Sequence, residues 1–197
     1  MNILIVLTYY RPHISGLTIY AERIARALVR RGHQVTVLTS QFEPTLPREE
    51  TCDGVHVIRV PVLTRLSKGV IMPSFGRMAS QLVREHDVLQ LHLPQFDAAG
   101  VALRGRLHKK PTVITYHCDL ELPPGLFNRV ANLAVLMMND LAAIFTHRIV
   151  TYTEDYASHS AYTRRFMKKV KVIPPPVVLP VISLDQKDSF RREHNPN

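Results

Sequence analysis

Three histidines and one carboxylate stand where this chain could do chemistry. His92 and His117 lie at the polar ends of apolar runs, Asp119 follows His117 by two residues, and His13 belongs to a polar loop after a third apolar run. A neutral imidazole can polarise a bound group or relay a proton, and a nearby carboxylate can orient the ring or accept a hydrogen bond from a sugar hydroxyl. The same donors suit zinc, so metal-dependent hydrolysis by His13, His92, His117 and Asp119 is a second reading, although the compact spacing of a metal motif is missing. The loop with His13 also carries Tyr9, Tyr10, Ser15 and Gly16. Glycine lacks a Cβ and lets backbone N–H groups approach a diphosphate closely at the start of a helix.

Other chemistries find less support. No G-x-G-x-x-G occurs, and Ser40-Gln41 stands where an acidic partner for a ribose is expected, so a nicotinamide cofactor is not anticipated. Cys52 and Cys118 are far apart in differently typed segments, which indicates neither a disulfide framework nor a cysteine metal site and fits a reducing cytosol. The formal charge of +9 is spread over many segments rather than gathered in one run. Nucleic acid is therefore not expected, while peripheral contact with a membrane is allowed; a non-enzymatic basic binding module is a third reading. The N-terminal apolar run is too short for a secretory signal.

Positioning such groups requires a scaffold, and the chain supplies one repeatedly. With 46% hydrophobic residues in 197, it can enclose one well-buried domain. Asn2 to Leu7 is an unbroken apolar run that suits a central parallel strand covered on both faces. A helix follows from Leu17, with Thr18 as its cap and Glu22 in its first turn, ending at Arg30, Arg31 and Gly32. Val35 to Leu38 gives a second strand and Val55 to Val60 a third, at the sheet edge. Leu63 to Ser74 reads as a basic loop around Arg65 and Lys68 that could meet an anionic partner.

Helix and strand then alternate: a helix over Phe75 to His86, a fourth strand over Asp87 to Leu93, a helix over Phe96 to His108 and a fifth strand over Thr112 to Tyr116. Leu126 to Thr146 is long and apolar enough to suggest a membrane span. Its polar residues and the single stripe Val130, Leu133 or Ala134, Met137, Leu141 and Ile144 favour a buried core helix instead. A sixth strand over His147 to Tyr152, a helix opening at Thr153 and a seventh strand over Val170 to Ile173 precede the stop at Pro174-Pro175-Pro176. Alternation of this kind predicts an α/β fold, a doubly wound parallel sheet with common order 3-2-1-4-5-6. That order brings the loops after the first, fourth and fifth strands into one cleft.

The order of these motifs resembles the amino-terminal domain of two-domain, GT-B-type glycosyltransferases of family four. The resemblance runs through Ile3 to Val6, Tyr10 to Gly16, Ala25 to Leu28, Gly32 to Val37, Asp87-Val88 with His92, Thr115-Tyr116-His117 and Val172-Ile173-Pro174. It implies a Rossmann-like domain over residues 1–176, with 177–197 a linker towards an absent carboxyl-terminal domain that holds the nucleotide. It also implies sugar transfer, usually with retention, from a nucleotide-sugar donor, itself a substrate and not a cofactor, to a glycan, lipid or small-molecule acceptor. By the same resemblance Ser15 and Gly16 form the donor-phosphate loop and His117 lies near the reacting sugar. Tyr9, Tyr10, His13, His92 and Asp119 are then acceptor-binding candidates, the expected location is cytoplasmic, and the chain alone is expected to be inactive.

Overall fold

The computed structural model describes residues 1–66, 69–120, 123–177 and 183–194. Its strands are β1 (Asn2–Val6), β2 (Gln34–Gln41), β3 (Glu49–Cys52), β4 (Val55–Pro61), β5 (Thr64–Leu66), β6 (Gly69–Ile71), β7 (Val88–Leu93), β8 (Thr112–Tyr116), β9 (Arg148–Thr151) and β10 (Val170–Val172). The helices are α1 (Gly16–Arg30), α2 (Phe75–Glu85), α3 (Ala98–Leu107), α4 (Leu126–Phe145), α5 (Glu154–His159), α6 (Ala161–Arg165) and α7 (Leu184–His194). Eight strands form one sheet in the order β10-β9-β8-β7-β1-β2-β4-β3, and every pairing within it is parallel except β3 with β4. The strands expected from the sequence thus take their expected order, with β1 at the centre.

Both faces of β1 are buried, and alternate residues go to different cores because successive side chains point to opposite faces of a strand. Ile3, Ile5 and Leu7 pack with Val35, Val37, Val55 and Val57 beneath Ala21 and Ala25 of α1. Leu4 and Val6 join Leu89, Leu91 and Ile114 beneath α2, α3 and the end of α4. Each such fully buried aliphatic side chain contributes about 1.5–3 kcal/mol relative to exposure. Gly105 lets α3 close onto the sheet, since a Cβ there would meet Leu89 Cδ1 at 2.8 Å.

Several expectations change in three dimensions. The sheet edge is not Val55 to Val60: Glu49–Cys52 folds back antiparallel on β4 and covers it. The segment expected as a loop around Arg65 contains the hairpin β5–β6, and the Arg65 guanidinium donates to the Phe42 carbonyl. Lys68 lies outside the described residues. Within residues 177–197 an exposed helix runs over Leu184–His194, an element not expected from the sequence. Arg23 of α1 donates to the Pro176 carbonyl at 3.0 Å and holds the proline run against that helix.

The largest correction concerns α4. The helix forms where expected and none of the described helices is long and apolar enough to cross a membrane, but its apolar stripe is not core. Val130 is 62% exposed and Met137 54% exposed, whereas the buried side of the helix consists of Asn139, Ala142 and Ala143. Periodicity reports that one stripe of a helix is apolar and says nothing about what covers it. The alanines pack against the body and the larger side chains face outward.

Candidate functional site

The site begins at the amino end of α1. Ser15, not Thr18, is the cap: the Thr18 amide donates to Ser15 Oγ at 3.2 Å, and the Ser15 amide donates to Thr18 Oγ1 at 2.8 Å. Such a reciprocal box satisfies two amides at once. Ile19 N–H donates to the Ser15 carbonyl, so the amides of Gly16 and Leu17 remain the ones that the helix itself cannot satisfy. Gly16 has ordinary helical backbone and nothing within 4 Å of the place a Cβ would take. The fold therefore does not need glycine there for its conformation, and the open space lies directly over a helix amino terminus with its partial positive charge.

One turn later, Tyr20 points into the sheet's carboxyl edge and touches the histidines. Its ring lies edge-on to His117 at 5.2 Å and to His92 at 5.8 Å, and tilted against Tyr152 at 5.4 Å. β7 and β8 are neighbours, and their ends bring His92 Nδ1 and His117 Nε2 to 2.8 Å. On the other side of the ring, the Tyr152 hydroxyl bonds His117 Nδ1. Both nitrogens of His117 are therefore engaged within the protein. With Tyr152 donating, His117 Nε2–H donates to His92 Nδ1, and His92 Nε2 carries a hydrogen in a buried place with no partner among the described residues.

Burial decides the charge of the pair. It lowers His117 to about 4, and it holds His92 well below the ordinary imidazole range, with His117 reinforcing the effect. Both rings are neutral at pH 7, because an imidazolium here would lose its hydration and no carboxylate among the described residues pairs with either ring. Burial likewise pushes the Tyr152 phenol up, so it keeps its hydrogen.

The other sequence candidates go to different places. Asp119 does not orient His117: its carboxylate accepts from Tyr116 at 2.9 Å, Ser160 at 3.0 Å and Tyr156 at 3.3 Å, which ties the loop after β8 to α5 and α6. Tyr10 is 4% exposed and packs in the core under α1. Tyr9 and His13 stack on each other at 4.9 Å with Phe42 edge-on to both, an aromatic platform beside Arg65. Among the described residues no three histidine, cysteine, aspartate or glutamate side chains gather as metal ligands, so His13 does not join His92 and His117.

Sequence reasoning missed Tyr20, Tyr152 and Arg59. Tyr152 ends the strand beside the fifth in the expected order, so the rule that gathered three loops would have gathered it as a fourth. Tyr20 stands one helical turn past Gly16. Arg59, 2% exposed, donates to the carbonyls of Arg11 at 2.8 Å and Pro47 at 3.0 Å and pairs with Glu50, fixing the loop after β1 from below; an arginine within an apolar strand was its only mark.

The open space at Gly16 yields an expected result. Gly16→Val shifts the melting temperature little, because no atom stands in the way, but weakens a ligand held at that helix end by about tenfold or more. Parallel thermal melts and ligand titrations check it, and equal losses in both would assign the glycine to the turn alone.

Comparison with known proteins places this geometry in context. Residues 14–179 match the family described as Glycosyltransferase Family 4. A GDP-mannose-dependent alpha-mannosyltransferase from Mycobacterium tuberculosis is 29% identical over 126 residues, 61% of this chain and 33% of that protein. An uncharacterized glycosyltransferase from Methanocaldococcus jannaschii is 43% identical over 61 residues, 30% of this chain and 15% of that protein. The chain thus spans a third or less of these relatives. The fold matches sucrose-phosphate synthase from Thermosynechococcus elongatus with a TM-score of 0.58 at 15% identity, over 88% of this chain and 47% of that one.

Proposed function

This chain belongs to glycosyltransferase family 4, and from that premise we propose that it is the acceptor-side domain of an enzyme that transfers a hexose from a nucleotide sugar to an acceptor hydroxyl with retention. One observation carries the reading: the free amino end of α1 and the His92 and His117 pair meet at one sheet edge through Tyr20. Ligands of open α/β sheets bind at that edge.

In this reading the Gly16 and Leu17 amides face the donor diphosphate and Ser15 holds them in place. His117, neutral and fixed from both sides, positions the groups around an oxocarbenium-like transition state and exchanges the Tyr152 hydroxyl for a sugar hydroxyl when substrate binds. Tyr9 and His13 offer the acceptor, be it glycan, lipid or small molecule, a flat face to stack on. Residues 1–176 form one wall of the cleft, and 177–197 lead towards a carboxyl-terminal domain that forms the other. The nucleotide sugar is consumed as a substrate, no further cofactor takes part, and the enzyme works in the cytoplasm.

The test is a donor screen on the protein extended through its downstream reading frame, beside residues 1–197 alone. Nucleoside diphosphate is measured after incubation with UDP-, ADP- and GDP-linked hexoses, with and without candidate acceptor alcohols. Acceptor-dependent release by the longer protein and none by the shorter is the expected outcome. Robust transfer by the shorter chain would overturn the two-walled cleft, and no release with any donor would overturn sugar transfer.

A further inference from the structure

The outer face of α4 is an apolar surface bordered by cations. Leu126, Val130, Leu133, Met137, Leu141 and Ile144 follow one another at spacings of three and four along a helix of 20 residues, and all are exposed. Residues three and four apart lie on one side of a helix, so these six make a ridge about 30 Å long. At its carboxyl end the ridge meets the run Arg164-Arg165-Phe166-Met167-Lys168-Lys169. Two side chains fix that run to the end of α4: Arg165 pairs with Asp140 at 2.8 Å, and Lys169 Nζ donates to the carbonyls of Ala143, Ile144 and the capping Thr146 at 2.7–2.9 Å. Arg164, Met167 and Lys168 remain exposed beside it. Burial first, and then Arg106 at the end of α3, lower the affinity of Lys169 for its proton. Arg129 stands exposed at the other end of α4, and the helix's one carboxylate, Asp140, is the group paired with Arg165.

We propose that this face docks on an anionic lipid surface, with the α4 ridge in the interfacial layer and the run from Arg164 to Lys169 against the headgroups. Charge selects this occupant over a second copy of the chain. Both ends of the ridge are basic, so two copies placed face to face oppose cation to cation whether the helices run parallel or antiparallel. An anionic bilayer satisfies both parts of the surface at once: apolar side chains enter the acyl boundary while lysine and arginine meet phosphate groups. The proposal stands independently of sugar transfer.

Vesicle flotation tests it, using phosphatidylcholine alone and phosphatidylcholine mixed with phosphatidylglycerol. The chain floats with the mixed vesicles, little with the neutral ones, and less as salt rises. The double variant Arg164→Gln, Lys168→Gln weakens this binding roughly 20- to 30-fold, and Lys168→Gln alone about fivefold. Leu133→Ser with Met137→Ser weakens it by about tenfold or more while leaving the circular dichroism spectrum unchanged. No flotation of the parent, or equal flotation of parent and variants, overturns the proposal. So does concentration-dependent self-association in sedimentation that the Leu133→Ser, Met137→Ser variant abolishes, since the ridge would then cover itself.

Discussion

His117→Ala lowers the turnover of the full-length enzyme by about 100-fold or more while the domain still folds. Its ring contacts His92 of β7, Tyr20 of α1 and Tyr152 just past β9. Alanine removes it and leaves His92 Nδ1 and the Tyr152 hydroxyl without their partner. That loss costs about 1–3 kcal/mol per stranded polar group, less where water enters the vacated space. A sheet buried on both faces survives this, so the expected signature is a modest fall in thermal stability beside a large fall in turnover. Tyr152→Phe separates positioning from contact: it keeps the imidazole, frees Nδ1 and changes turnover less than His117→Ala does. Steady-state kinetics of both variants, with thermal melts, check the result. Turnover equal to that of the parent would remove His117 from the reaction.

Acid destabilises this domain before most carboxylates are protonated. Burial depresses His117 to about 4 in the folded state, against about 6.5 in the unfolded chain. A histidine depressed on folding opposes the native state once protons become available, because the unfolded chain binds them first. Its stabilising contribution is complete above the unfolded value and is lost as pH falls from there towards the folded one. For His117 alone the loss is about 2 kcal/mol between pH 7.5 and pH 5. His92 is shifted in the same direction by the same burial and adds to it. Denaturant midpoints measured across that window fall in the parent, and His117→Asn flattens the slope. A flat parent profile, or the same slope in the variant, would contradict the neutral buried pair.

The sequence by itself determined the order of the central elements, because each central strand is an apolar run and helices such as α1 and α2 are amphipathic; the edge strand β3, the β5–β6 hairpin and α7 carried no such mark. From that order it also placed His92 and His117 side by side, since strand ends in a doubly wound sheet are readable as neighbours. Direction of side chains beyond the strands was not readable. Asp119 is two residues from His117, yet Tyr116, Tyr156 and Ser160 turn its carboxylate away. The group that does fix His117, Tyr152, is 35 residues distant in the chain. Thr18 and Ser15 both suit a helix cap, and only the backbone settled that Ser15 takes the position, which places Gly16 inside the helix. The stripe on α4 was legible as apolar, but tertiary structure alone decided that alanines face the core and the larger residues face outward. Local patterns encode which surfaces avoid water; which neighbour covers them depends on packing between segments far apart in sequence.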